Sequence, residues 1–159
     1  MIRLINPDEF ASAAEVIRAS FMTVAKDLGF TEQSFPGFTA FSTTAERLRT
    51  QYGEGRAMYG LYEEDRLIGF VALSLHSEGI YELNNLAVLP EYRHKGYGKQ
   101  LLDFCKVNVK KSCGSKIIIG IVEENTVLKN WYSANGFTHT GTKKFNHMPI
   151  TVGFMECEV

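Results

Sequence analysis

The stretch Tyr81-Glu-Leu-Asn-Asn-Leu-Ala-Val-Leu-Pro90, continued by Glu91-Tyr-Arg-His-Lys-Gly-Tyr-Gly98 and Lys99-Gln-Leu-Leu102, decides how this chain is read. Ile80–Leu89 has the makeup of a strand that stops at Pro90. Tyr97 to about Lys111 places Leu101, Leu102, Cys105 and Val109 on one helical stripe, with Lys99, Lys106 and Lys110 free to face water. Between strand and helix lies a glycine turn. The first backbone N–H groups of a helix have no carbonyl partner, and the helix dipole adds positive potential there. Such a turn is a seat for an anion. Gly96 and Gly98 carry no Cβ, so phosphate oxygens can come close to the backbone, and Arg93, Lys95 and Lys99 add charge around the same spot.

Outward from this stretch, the chain opens with a short strand at Ile2–Ile5 and a helix begun by Asn6-Pro7-Asp8, with Phe10, Ala13, Ala14 and Ile17 at helical spacing. Residues 29–43 read as a loop or broken helix, and Thr44 to about Gln51 as a second helix. Two strands, Ala57–Tyr62 and Leu67–Leu75, are joined by Glu63-Glu64-Asp65-Arg66 as an antiparallel hairpin. Downstream come a β-branched strand, Lys116–Val122, a short helix, Thr126–Ala134, and two last strands at about Phe137–Thr140 and Ile150–Glu158. Strands interleaved with helices after an opening hairpin predict an α/β (α+β) domain: a mixed sheet with helices on both faces.

The bulk composition excludes several classes. With 159 residues, the chain fits one domain, and 45% hydrophobic residues suffice for an ordinary core. Its 17 basic and 18 acidic residues leave a net charge of −1, so nothing points to nucleic acid as the partner. Cys105, Cys113 and Cys157 are an odd number without CxxC spacing, which argues against a disulfide framework or a zinc site. No apolar run approaches the ~20 residues needed to cross a bilayer, and the first residues lack a leader pattern. The expectation is a cytoplasmic protein without a membrane partner.

Competing phosphate motifs fail on their spacing. Gly98-Lys99 is followed by Gln100, with no hydroxyl for magnesium, and the two loop glycines sit at the wrong offset for a dinucleotide fingerprint. HExxH and GxSxG are absent. The segment Arg93-His94-Lys95-Gly96-Tyr97-Gly98 instead resembles the [RQ]-x-x-G-x-[GA] pyrophosphate loop of the GCN5-related N-acetyltransferases (GNAT family). Asn125, Leu128, Trp131, Tyr132 and Gly136-Phe137 follow that family's N-x-x-A-x-x-x-Y-x-x-x-G-F pattern, with leucine in place of the usual alanine. The likeness covers residues 57–137 and is weak before residue 50.

The resemblance implies the acyl-CoA N-acyltransferase fold, a mostly antiparallel sheet of about seven strands, in a single domain over residues 1–159. It implies acetyl-CoA as co-substrate, no metal, and direct attack by an amine through a tetrahedral intermediate. It also assigns roles. Backbone groups of Leu86, Ala87 and Val88 would hold the pantetheine arm, with the Val88 N–H as oxyanion donor; Arg93, His94, Lys95, Gly96, Tyr97, Gly98 and Lys99 would form the phosphate loop. Tyr132 would protonate the leaving thiolate, unless it merely packs at a helix–strand junction. Glu82 is either the base for the amine or a surface glutamate. On strict alternation Glu82, Asn84, Leu86 and Val88 share a face, though a bulge would shift that register. Asn125 either bonds pantetheine or caps the next helix.

His94 is expected in solvent, nothing makes His139 or His147 catalytic, and Cys105 belongs to the core stripe. The expected acceptor is a small-molecule amine, bound between residues 20–56 and 138–150; a protein amine and a non-catalytic acetyl-CoA sensor are the alternatives, and homodimerisation stays open. Phe21, Phe30, Phe35, Phe38, Phe41 and Tyr52 form either an apolar acceptor pocket or a satellite core.

Overall fold

In the computed structural model, which describes residues 1–159, seven strands form one sheet. In chain order they are β1 (Ile2–Leu4), β2 (Ala57–Glu63), β3 (Arg66–Ser77), β4 (Ile80–Val88), β5 (Lys116–Val122), β6 (Thr138–Lys144) and β7 (Thr151–Glu158). They lie side by side as β1-β2-β3-β4-β5-β7-β6, and only β4 with β5 is parallel. The helices are α1 (Phe10–Leu28), α2 (Thr39–Ser42), α3 (Ala45–Gly53), α4 (Tyr97–Lys111) and α5 (Thr126–Ala134). The mixed, mostly antiparallel sheet expected from the sequence is therefore present. The short α2 gives residues 29–43 their one helical turn.

A cluster of polar contacts fixes the entry to α1. Glu9 accepts the Asn6 N–H at 2.9 Å, both Arg3 guanidinium nitrogens at 2.9 Å, and the Tyr62 hydroxyl at 2.9 Å. The Arg3 hydrogen bonds hold the Glu9 carboxyl far below its ordinary range, at about 2. The helix stops at Gly29, whose left-handed φ of 73° lets its N–H fold back on the carbonyls of Ala25 and Lys26.

The first hairpin is tighter than the sequence suggested. Glu63 and Arg66 are a cross-strand pair, so the turn is only Glu64-Asp65, both at positive φ (46° and 64°). That is the conformation matching the twist of paired strands, here adopted without a glycine. The edge strand β6 runs on to Lys144 rather than ending near Thr140. Its side chains are exposed along almost the whole length, so no alternation announced it.

Helices cover both faces of the central strands. Tyr59 packs on Phe104 of α4 with ring centroids 4.9 Å apart, and a Cβ on Gly69 would meet Leu101 of α4 at 3.1 Å. Val71, paired with Tyr59, shares that side, so the alternate residues Phe70 and Ala72 turn towards α1. The main core is filled by Phe10, Ile17, Ile68, Phe70, Leu101 and Leu102, all with essentially no exposed surface.

Two features open the sheet. The β4–β5 ladder holds only three register pairs, Ile80–Lys116, Tyr81–Ile117 and Glu82–Ile118. Beyond them β5 continues along β7 while β4 stays with β3, and a wedge opens between them. In the same region β4 carries a bulge: Ala72 pairs with Asn84 but Phe70 pairs with Ala87, and Asn85 takes the left-handed φ of 53°. Strict alternation therefore fails. Cross-strand partners share a face, so Glu82 and Asn84 lie on the α1 face with Ala87, whereas Val88 lies with Gly69 on the α4 face.

Candidate functional site

The wedge ends at the glycine loop. After the 3₁₀ turn Pro90–Tyr92, His94 (φ 62°) and Gly96 (φ 82°) both adopt left-handed backbone and aim the chain into α4. The first helical hydrogen bond runs from the Gln100 N–H to the Gly96 carbonyl at 3.0 Å. The N–H groups of Tyr97, Gly98 and Lys99 precede it, and no side chain caps them. The shorter helices α3 and α5 are capped, Thr44 accepting the Arg47 N–H at 3.1 Å and Asn125 the Leu128 N–H at 3.2 Å, whereas α1, like α4, has no side-chain cap. Nothing lies within 4 Å of a Cβ built on Gly96, whereas one on Gly98 would sit 3.4 Å from the Trp131 ring. The indole of α5 thus walls one side of the loop.

The charged side chains of the loop are not all where the sequence put them. Arg93 is half-buried and turned away from the helix terminus. It donates to the Ser20 carbonyl (2.7 Å), Ser20 Oγ (3.2 Å), Thr23 Oγ1 (2.8 Å) and the Val88 carbonyl (3.3 Å). Its guanidinium braces the loop against α1 rather than reaching over the helix terminus. Ser20 and Thr23, three apart on α1, were not singled out in the sequence; a buried Ser20 on an otherwise apolar helix face is the signal that could have found them. Lys99 pairs with Asp103 at 2.5 Å, and the Tyr97 hydroxyl donates to Glu63 at 2.6 Å. His94 and Lys95 are exposed, and Lys95 Nζ stands 5.4 Å from the Tyr92 ring centre.

Along the strand edge, the Leu89 N–H bonds the Ile68 carbonyl at 2.9 Å. Alternation in an antiparallel ladder then turns the N–H and C=O of Val88 away from β3, towards the wedge. The Arg93–Val88 bond occupies that carbonyl and leaves the N–H. Ala87 is paired with Phe70, and Leu86 falls in the bulge. Glu82 stands at the vertex, in the last register pair shared with β5, on the α1 face. Beside it Asn84 Nδ2 donates to Ser74 Oγ at 3.0 Å.

Tyr132 is 4% exposed, clasped edge-on by Trp131 and Phe137 with centroids 5.0 and 5.2 Å away. Its hydroxyl makes no hydrogen bond within the protein, and burial pushes the phenol above its ordinary 10. α5 is held in place by Glu123 at the end of β5, which pairs with Lys129 and with His139 at 2.9 Å. Those contacts, the Lys129 hydrogen bond first, keep the Glu123 carboxyl low. His139 is thus a tie between strands, and His147 lies in the β6–β7 turn near Phe145. Cys105 is fully buried in the core, and burial pushes its thiol up to about 12, the setting of a structural cysteine. All three cysteines are free.

The phenylalanines of the acceptor segments form a satellite core. Phe35, Phe38, Ala25, Ala40 and Ile150 are buried together, with Met148, Val122 and Val152 packed against them. The cluster joins residues 30–42 to the β6–β7 turn and packs on Val122 at the end of β5. A surface cavity lies elsewhere, between α1 and the β2–β3 turn, lined by Glu9, Glu15, Asp65 and Glu91, and it shares no residue with the loop.

The acetyltransferase (GNAT) domain family matches residues 54–139, more than half of the chain. The protein belongs to that family. A spermidine N(1)-acetyltransferase of Thermoplasma acidophilum is 26% identical over 141 residues, covering 86% of each chain. The crystal structure of the PaiA N-acetyltransferase from the same organism, in complex with coenzyme A, superposes with a TM-score of 0.82 at 24% identity over 100% of this chain and 98% of that one. The ribosomal-protein-S18-alanine N-acetyltransferase from Escherichia coli gives 0.76 at 15% identity, over 100% and 93%. As a GNAT protein the chain is an acetyl-CoA-dependent acetyltransferase, the activity expected from its glycine loop. No helix is long and apolar enough to cross a membrane.

Proposed function

We propose that this GNAT protein moves the acetyl group of acetyl-CoA to the primary amine of a small molecule by direct attack. One observation carries the reading: an uncapped helix terminus at Tyr97–Lys99 opens beside a strand edge left without a partner at Val88. The N–H groups of the first suit a diphosphate, and the second suits an amide-bearing pantetheine arm. On this reading the Val88 N–H faces the thioester carbonyl and stabilises the oxyanion. Glu82 takes a proton from the amine, directly or through water. Nitrogen then bonds to the carbonyl carbon, the carbon–sulfur bond breaks, and the departing thiolate receives the Tyr132 proton. Burial of that phenol keeps it protonated, as a donor must be. Asn125 serves as a helix cap, with its amide nitrogen left for the pantetheine arm.

The acceptor named for the Thermoplasma relative, spermidine, is a small-molecule amine and supports the same class here. A cytoplasmic location belongs to the same proposal, consistent with three unpaired thiols. The test is thiol release from acetyl-CoA against pooled amino acids, polyamines, aminosugars, aromatic amines and short peptides. Amine-dependent release is expected, with Tyr132→Phe lowering kcat roughly 10²–10⁴-fold while the fold stays intact. Full activity in Tyr132→Phe would remove the proton-donor assignment, and release with peptides alone would replace the small-molecule acceptor.

A further inference from the structure

Arg56 lies two strands from the vertex of the wedge, in line with it across the sheet, and its side chain has no ion-pair or hydrogen-bond partner. It immediately precedes β2, and its N–H donates to the Gln51 carbonyl of α3 at 3.2 Å. Ala57 pairs with Leu73, so one step back sets Arg56 beside Ser74, and Ser74 in turn pairs with Glu82. Arg56, Ser74 and Glu82 form a row across three strands on the α1 face. Two strand spacings put the outer pair about 10 Å apart at the backbone. The row ends at the vertex, since Glu82 is the last residue shared with β5.

The guanidinium is half-buried, and burial lowers its pKa; the charges of Glu82 and then Glu54 oppose that shift, and Arg47 of α3 adds to it. Yet Arg56 makes no ion pair or side-chain hydrogen bond with Glu82 or any other group, in contrast to Arg3, Arg66 and Arg93. Gln51, its backbone partner, also keeps a buried side-chain oxygen without a hydrogen bond. A partly desolvated guanidinium with five unused donors is a site for a planar anion.

Resting on the acetyltransferase reading of the same wedge, we infer that the acceptor is zwitterionic: Glu82 receives its amine and Arg56 binds a carboxylate, or a group of like charge, on the same small molecule. The two charges stand on one face with a serine hydroxyl between them, the separation that an amino acid or short ω-amino acid can bridge. A polyamine would instead set a second ammonium against Arg56 and Arg47. Arg56 is thus a specificity residue, and its carboxylate contact fixes which end of the acceptor points at the thioester.

The test is a set of matched amines in the thiol-release assay: glycine, β-alanine and 4-aminobutyrate, each against its primary amide, together with putrescine and spermidine. The expected result is a kcat/KM at least tenfold higher for the carboxylates than for their amides. Arg56→Gln should collapse that ratio towards one, and Arg56→Lys should restore part of it. A wild-type preference for diamines or polyamines overturns the inference and leaves the transferase reading standing, as does an Arg56→Gln variant that lowers both series equally. Because the wild-type ratio is itself diagnostic, a variant that fails to fold does not shelter the idea. No amine-dependent release from any member defeats the small-molecule transferase reading, and this inference with it.

Discussion

The two sides of the wedge are made of different material. On the proposed reading the donor side is backbone: the N–H groups of Tyr97, Gly98 and Lys99, and the open edge of β4 at Val88. On the same reading the acceptor side is side chains: Glu82, Arg56, Asn84 and the flank built by Phe30, Phe35 and Phe38. Backbone groups are the same whatever the residue, so the donor side depends on conformation and on the absence of Cβ atoms. The acceptor side depends on identities. Substitutions on one side should leave the other's ligand alone, and this separation can be broken experimentally.

The largest effect is expected on the acceptor flank. Phe38 is 6% exposed and meets Phe21, Phe30, Phe35 and Phe41 at centroid distances of 5.1–6.2 Å. Phe38→Ala should cost about 3 kcal/mol in denaturant unfolding, while acetyl-CoA affinity measured by calorimetry holds. A matching loss of acetyl-CoA affinity would show that the two sides are one unit. Gly98→Val acts on the donor side: its methyl groups would stand in the anion seat and crowd Trp131, already 3.4 Å from a Cβ at that position. Losing charge-assisted hydrogen bonds to phosphate corresponds to roughly 100-fold weaker acetyl-CoA binding. Unchanged affinity would remove the loop from the donor site.

A smaller effect sits on the border between the sides. Asn85, at φ 53°, makes the bulge that changes the facing of β4. Asn85→Val should cost about 1–2 kcal/mol because a β-branched residue resists left-handed backbone, and Asn85→Gly should recover most of it. If both variants unfold alike, the bulge is not held by backbone conformation. The smallest effect lies outside the wedge, at Glu9. Its carboxyl is lowered from 4.5 to about 2, so its contribution is complete above pH 4.5 and fades as pH falls towards 2. Glu9→Gln should therefore lower the melting temperature modestly at neutral pH and flatten its decline across that window, with acetyl-CoA affinity untouched.

Much of the donor side could be read without coordinates. A strand ending at Pro90, two glycines two apart and an amphipathic helix fix where the helix terminus must be, and the structure has all three. What the sequence withheld were directions. Nothing in Arg93-His94-Lys95 says that the first of them turns inward to Ser20 and Thr23, because a motif records residue type and not the side-chain path. Asn84-Asn85 repeats one residue type, so which of them takes the bulge is decided by pairing with Ala72 and Phe70. The turn Glu64-Asp65 lacks the glycine that usually marks such a hairpin, and β6 lacks an apolar face. Arg56 was hidden for another reason: its significance arises from Ser74 and Glu82, 18 and 26 positions away, which only the register brings alongside.

The three-rung seam between β4 and β5 has a consequence for size selection. A wedge is a caliper without a fixed stop: whatever is slid into it halts where its own thickness equals the gap. On that reading, an acyl chain bulkier than acetyl would not be turned away at the entrance by such a shape but would come to rest further from Glu82. If the Val88 N–H is the oxyanion donor proposed above, discrimination among acyl donors becomes a matter of where the carbonyl parks relative to it, and so of alignment rather than admission.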